Sequence, residues 1–117
     1  MIWLHGGGFS NGAAAVYQGS HLARSDIIVV MVQYRLGMFG FMNTWDTTID
    51  DVFGGNYGLM DQQLAIKFIH DNAEYIGGDA DNINLVGESS GGQAVAFQLL
   101  NTVSSKMIKT AFSQSGM

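Results

Sequence analysis

Asn84-Leu85-Val86-Gly87-Glu88-Ser89-Ser90-Gly91-Gly92-Gln93-Ala94-Val95 is the most informative stretch of the chain. A short apolar run breaks into serines and glycines, and apolar residues then resume at helical spacing. The break, Gly87-Glu88-Ser89-Ser90-Gly91, fits the pattern G-x-S-x-G. In a tight strand-to-helix turn this pattern lifts the serine hydroxyl out of the sheet, and the flanking glycines are needed because side chains there would strike the neighbouring strand and helix. From this chain's own glycine and serine content the match arises by chance in roughly one chain in six, so its setting matters more than the match. The setting fits: Ile83 to Val86 reads as a buried strand, and Ser90 to Leu100 reads as a helix with Val95, Ala96 and Leu99 on its apolar stripe.

The rest of the chain extends the same pattern outward. Ile2-Trp3-Leu4 reads as the end of a strand running into Gly6-Gly7-Gly8, and Ser20 to Ser25 holds a short helix. Ile27 to Val32 is unbroken and apolar, which predicts a central strand buried on both faces. Residues 35–58 read as irregular. A helix is expected from Leu59 to Tyr75, with Leu64, Ala65, Phe68, Ile69 and Ala73 inward and Gly77-Gly78 as its stop. Thr110 to Ser113 reads as a further strand. Strands alternating with helices predict an α/β architecture, a mostly parallel sheet flanked by helices.

Composition narrows the function classes. The 117 residues carry a net charge of −5, which excludes a phosphate-tracking nucleic-acid binder. No apolar run has the roughly 18 residues of a membrane span, and the first residues carry no basic leader-like segment. Zero Cys excludes disulfides and cysteine–zinc sites within these residues. His5, His21 and His70 offer no spacing for a metal site, and no cofactor is called for. The acids concentrate between Asp46 and Asp81, a solvated face or an acidic field able to steer a cationic substrate.

Gly6-Gly7-Gly8 exposes backbone N–H groups without side-chain obstruction. That suits an oxyanion hole, where donors converge on a developing negative oxygen, and the N–H of Ser90 at the start of its helix adds another. Phosphate cradling is the competing use of such a loop, but the lysine of a P-loop is missing. Arg35 reads as one half of a structural ion pair, with Asp61 a candidate partner. Trp3, Phe39 and Phe41 are expected in the core, while Phe9 and Tyr17 are open between core and an acyl pocket.

Taken together, His5-Gly6-Gly7-Gly8-Phe9, Tyr34-Arg35-Leu36-Gly37, Phe39-Gly40-Phe41, Gly55-Asn56-Tyr57-Gly58-Leu59-Met60-Asp61-Gln62-Gln63, Gly77-Gly78-Asp79, Gly87-Glu88-Ser89-Ser90-Gly91-Gly92 and Ser113-Gln114-Ser115-Gly116 resemble, in order and spacing, the type-B carboxylesterase/cholinesterase branch of the α/β-hydrolase fold. The resemblance covers essentially all of residues 1–117. It implies a serine hydrolase of carboxylic esters working through an acyl-serine, with a small-molecule ester as substrate. It makes Ser89 the nucleophile, puts Gly7, Gly8 and Ser90 in the oxyanion hole, and places Glu88 in the active-site gorge. Secretion is compatible with it. Hormone-sensitive-lipase-like esterases share the H-G-G-G loop but usually carry Asp in the elbow, where this chain has Glu88.

The chain departs from that pattern at Ser90, where Ala is typical, and at Met38 and Ala80, where many members have Pro. At Ser90 only the backbone N–H is expected to matter. A triad in this fold runs Ser, acid, His, and no Asp, Glu or His follows Glu88. The chain is therefore expected to be a central N-terminal portion of a longer domain, incomplete at both ends and inactive alone, with the triad acid and His outside it. A non-catalytic, cholinesterase-like adhesion or binding protein is the alternative function; an incomplete coding sequence with no function of its own is a third.

Overall fold

The computed structural model describes residues 1–43 and 54–116. In chain order the regular elements are β1 (Ile2–Leu4), α1 (Ser20–Ala23), β2 (Val30–Val32), α2 (Gly37–Phe41), α3 (Tyr57–Asn72), β3 (Asn84–Glu88), α4 (Ser90–Leu100) and β4 (Thr110–Gln114), with 3-10 turns between several of them. The strands form one four-stranded sheet in the order β2-β1-β3-β4, and every pairing is parallel. This is the expected α/β architecture, a parallel sheet flanked by helices.

Ile2 and Leu4 of β1 and Leu85 of β3 point to one face by the two-residue period of a strand. There they meet Ile66 of α3 and Ala94 and Val95 of α4, with Val32, Tyr34 and Ile83 completing the core. Leu4, Ile66 and Leu85 have no exposed surface. Burying each contributes about 1.5–3 kcal/mol. The alternate residues Trp3, Val86 and Glu88 are only partly covered.

Several expected faces are corrected. Of the run Ile27 to Val32, Val30–Val32 forms the strand and is the outermost of the four described strands. Its ladder to β1 starts at Ile2↔Val30, Ile28 O accepts from the Met1 amino group, and Ile27 and Ile28 are 38% and 37% exposed. Within the stretch expected to be irregular, Gly37–Phe41 winds into a short helix; residues 44–53 of that stretch lie outside the described residues. α3 buries Gly58, Gln62 and Ile66, while Leu64 and Phe68 face outward at 67% and 62% exposure. α4 buries Ala94, Val95 and Gln98, and Ala96 and Leu99 are exposed.

One cause serves both helices. A buried polar network joins them: Gln98 Nε2 donates to Leu59 O at 2.8 Å and to Gln62 Oε1 at 3.2 Å, and Ser104 Oγ donates to Gln98 Oε1 at 2.7 Å. The helices meet with the glutamines facing each other, which leaves Leu64 and Phe68 outward, while Ala65 and Ile69 pack against the core and Ala73 is buried, as expected. Phe39, expected in the core, is 77% exposed. Trp3 packs on Tyr17 with ring centroids 5.3 Å apart, and Phe41 on Phe9 at 5.1 Å.

The ends of α3 carry the expected devices. After Asn72 the chain tightens into a 3-10 turn at Glu74–Ile76, and Gly77 closes it in the left-handed region at φ 77°. Near the start, Asp61 grips Arg35 through both carboxylate oxygens. Arg35 Nε and backbone N–H donate to Oδ2 at 2.8 and 2.9 Å, and Nη2 donates to Oδ1 at 2.9 Å. These bonds hold the Asp61 carboxyl below its usual range, with the Arg35 side chain the largest cause.

The tightest packing lies between α4 and β1. A methyl on Gly91 would sit 2.1 Å from the carbonyl oxygen of Leu4 and 2.8 Å from that of His5, both backbone atoms. Gly91→Ala should therefore cost about 3 kcal/mol or more, the upper range for overpacking. Gly77→Ala, with nothing within 4 Å of the added methyl, should cost about 1 kcal/mol for its positive φ alone. Urea melts of the full-length variants decide, and equal costs would contradict this packing. Asp61→Asn should lower the melting temperature modestly at neutral pH. Because the folded carboxyl titrates below its unfolded value, the ion pair stabilises above the ordinary carboxylate range and is lost as pH falls through the depressed value. The melting curves of variant and parent should converge in strong acid.

Candidate active site

The sheet register brings two loops to one place. β1 and β3 are adjacent and parallel, with Leu4 opposite Gly87. The chain leaving β1 at His5 and the chain leaving β3 at Ser89 therefore emerge side by side at the C-terminal edge. A methyl on Gly6 would lie 2.6 Å from Glu88 Oε2 and 3.0 Å from Ser89 Cβ, so the glycine loop rests directly on the serine turn.

Ser89 occupies that turn with φ 54° and ψ −124°. This is a sparsely populated conformation for a non-glycine residue, costing about 1–3 kcal/mol and held only by its surroundings. Its N–H donates to Gln114 O at 2.8 Å, across from the end of β4, and its carbonyl accepts the Gln93 N–H at 3.0 Å as α4 begins. Ser113 Oγ donates to Gly92 O at 3.0 Å. The Ser113–Gly116 segment thus braces the turn, a role that its sequence does not disclose. Gly87 is required on the other side: a methyl there would be 2.3 Å from Gly91 O.

The glycine loop is shaped by its own backbone. Gly7 O accepts the N–H groups of Ser10 and Asn11, each at 3.1 Å, and Phe9 O accepts Gly37 N–H at 2.7 Å. Gly8 adopts φ 61° with the nearest atom to an added methyl 3.8 Å away, whereas a methyl on Gly7 would press within 2.1 Å of Asn11 O. Among the described residues, none accepts the N–H of Gly7, Gly8 or Ser90. Ser90 begins an 11-residue helix, whose dipole favours negative charge at that end.

His5 orders the loop. It is fully buried, its Nδ1 is 2.8 Å from Gly6 O, and its ring stacks on Tyr34 at 4.5 Å. Tyr34 OH donates to His5 O at 2.6 Å. Burial pushes the Tyr34 phenol up to about 12, so it remains protonated and a donor at neutral pH. The side chain of Ser90, expected to be idle, is buried and accepts the Phe9 N–H at 3.3 Å. Tyr34 and the Ser90 hydroxyl were not singled out in the sequence; the one signal was a serine where the resembling pattern has alanine.

The structure brings Ser89, Glu88, Gly7, Gly8 and Ser90 together. It brings Ser89 no histidine hydrogen bond among the described residues: His5 serves the loop, His70 pairs with Asp71 at 3.2 Å, and His21 is exposed in α1. No group of His, Asp or Glu among the described residues could hold a metal ion. A cavity of about 330 Å³ between Met1, Ile28, Ile69 and Ile83 lies at the opposite, N-terminal ends of the strands and includes none of the residues above.

The model of the Carboxylesterase family matches residues 1–117. The chain is 44% identical over 126 residues to bile salt-activated lipase of Bos taurus, covering 100% of this chain and 20% of that protein. It is 44% identical over 121 residues to acetylcholinesterase of Leptinotarsa decemlineata, covering 99% and 19%. Among solved structures, a thermophilic pNB esterase superposes with a TM-score of 0.89 at 40% identity, covering 98% of this chain and 24% of that one. The chain thus spans about a fifth of the length of the relatives it matches. With the family model, the fold and the serine turn in agreement, this chain belongs to the carboxylesterase family.

Proposed function

We propose that these residues are the nucleophile-bearing segment of a serine hydrolase that cleaves carboxylic esters. The observation that carries this is the placement of Ser89 in a strained turn at the same sheet edge as the N–H groups of Gly7, Gly8 and Ser90. Ser89 Oγ attacks the ester carbonyl and gives its proton to a base. The carbonyl oxygen becomes an oxyanion held by the three N–H groups, and collapse expels the alcohol, which takes up the proton, to leave an acyl-serine. Water, deprotonated by the same base, then releases the acid. Glu88 lines the entrance from beside the nucleophile. The base and its acid partner come from sequence outside these residues, so the 117-residue chain alone is inactive. No helix among the described residues is long and apolar enough to cross a membrane, and the substrate is a small-molecule ester. Ser89 and the glycine loop together favour catalysis over a purely adhesive role.

Ser89→Ala in the full-length protein should lower turnover of p-nitrophenyl butyrate by several orders of magnitude with an unchanged melting temperature. An organophosphate should label Ser89 covalently. A label on another residue of active protein, read by mass spectrometry, would refute the assignment.

The glycine loop has its own test. Gly7→Ala is uninformative, because its methyl would strike Asn11 O and rearrange the loop. Gly8 has room for a methyl, at about 1 kcal/mol for its positive φ, so Gly8→Ala, with rates taken per organophosphate-titrated site, tests that N–H. The variant's kcat should fall about a hundredfold or more, with KM changing far less, since the ground-state carbonyl is weakly held. Normal kcat would remove Gly8 from the oxyanion hole.

A further inference from the structure

We propose that the side chain of Ser90, acting with Tyr34, is a positioning element that sets the spacing of the oxyanion donors. The proposal rests on the reading of Ser89 as nucleophile and goes beyond it, since that reading uses only the backbone of Ser90.

Three consecutive glycines have no side chains with which to anchor themselves, so the loop must be held from its ends. Each end is held by one buried hydroxyl. At the far end, Phe9 N–H donates to Ser90 Oγ at 3.3 Å. At the near end, Tyr34 OH donates to His5 O at 2.6 Å. The two bonds bracket Gly6-Gly7-Gly8 from either side.

Both hydroxyls are shielded from solvent: Ser90 and Tyr34 are each 3% exposed and His5 is fully buried. The Tyr34 ring is held in place by stacking on His5 with an interplanar angle of 17°. The two bonds join three separate parts of the fold: the loop after β1, the first residue of α4 and the residue two past β2. Ser90 thereby ties its own N–H to the loop that carries those of Gly7 and Gly8. With alanine at this position, Phe9 N–H loses its acceptor, and the loop can move relative to α4.

A shift well under 1 Å is enough to matter, because the donors must meet the oxyanion and not the ground-state carbonyl. In the full-length protein, Ser90→Ala and Tyr34→Phe should each lower kcat for p-nitrophenyl butyrate about tenfold to a hundredfold with KM little changed. Affinity for a trifluoromethyl ketone, whose adduct with serine places an oxyanion in the hole, should fall by the same factor as kcat/KM. The double variant should lose little more than the worse single one, because either change frees the same short loop. Rates are taken per organophosphate-titrated site, so a loss of folded protein does not count as a loss of kcat. Wild-type kcat and ketone affinity in Ser90→Ala would overturn the proposal. So would a lowered melting temperature with unchanged kcat per site, or losses that multiply in the double variant. Ser89→Ala is the control: if it is dead while Ser90→Ala is normal, only the positioning role fails, and if it is fully active, the reading beneath it fails.

Discussion

No side chain fits between the first turn of α4 and the C-terminal end of β1. The would-be methyl of Gly91 falls 2.1 Å from Leu4 O, which is backbone meeting backbone. That approach draws the start of α4 over the sheet and forces the chain to reverse within one residue after β3. Ser89 takes the strained conformation because the helix must begin there. The bracing by Gln114 and the glycines on either side follow from the same constraint. The cost of one unfavourable backbone conformation is met by a parallel ladder and a core whose central residues are wholly buried.

This constraint made the site legible from sequence. Where backbones must touch, only glycine serves, so the packing is written in residue identity. Gly87, Gly91 and Gly92 around the serines, and Gly6 against Glu88, are steric requirements as well as motif letters. The alternation of strands and helices and the pairing of Arg35 with Asp61 were legible for similar reasons, since apolar runs and opposite charges declare their needs locally.

What stayed hidden depends on partners distant in sequence. An unbroken apolar run does not say which strand lies beside it: of Ile27 to Val32, the three residues Val30–Val32 pair with β1. Helix faces were misjudged because periodicity counts apolar residues and treats glutamine as surface. Gln62 and Gln98 are buried because each lies within hydrogen-bonding reach of the other, although 36 residues separate them. Gln62 Oε1 accepts from Gln98 Nε2, and Gln98 Oε1 accepts from Ser104, which offsets part of the cost of burying the two amides. No local pattern shows such a pairing.

Ser90 combines both kinds of information. Its backbone role follows from being the residue after the nucleophile, at a helix start, and would be the same for almost any residue. Its hydroxyl is different, because its acceptor role toward Phe9 exists only once β1 and α4 are assembled. The resembling pattern does without that hydroxyl, so the glycine loop can be held in more than one way. In this chain the buried hydroxyl accepts the part-buried Phe9 N–H, and removing it takes that donor's partner away. A substitution that looks neutral when only the backbone is considered is then coupled to the shape of the loop. The residue most ordinary by its backbone role joins the nucleophile turn to the oxyanion donors.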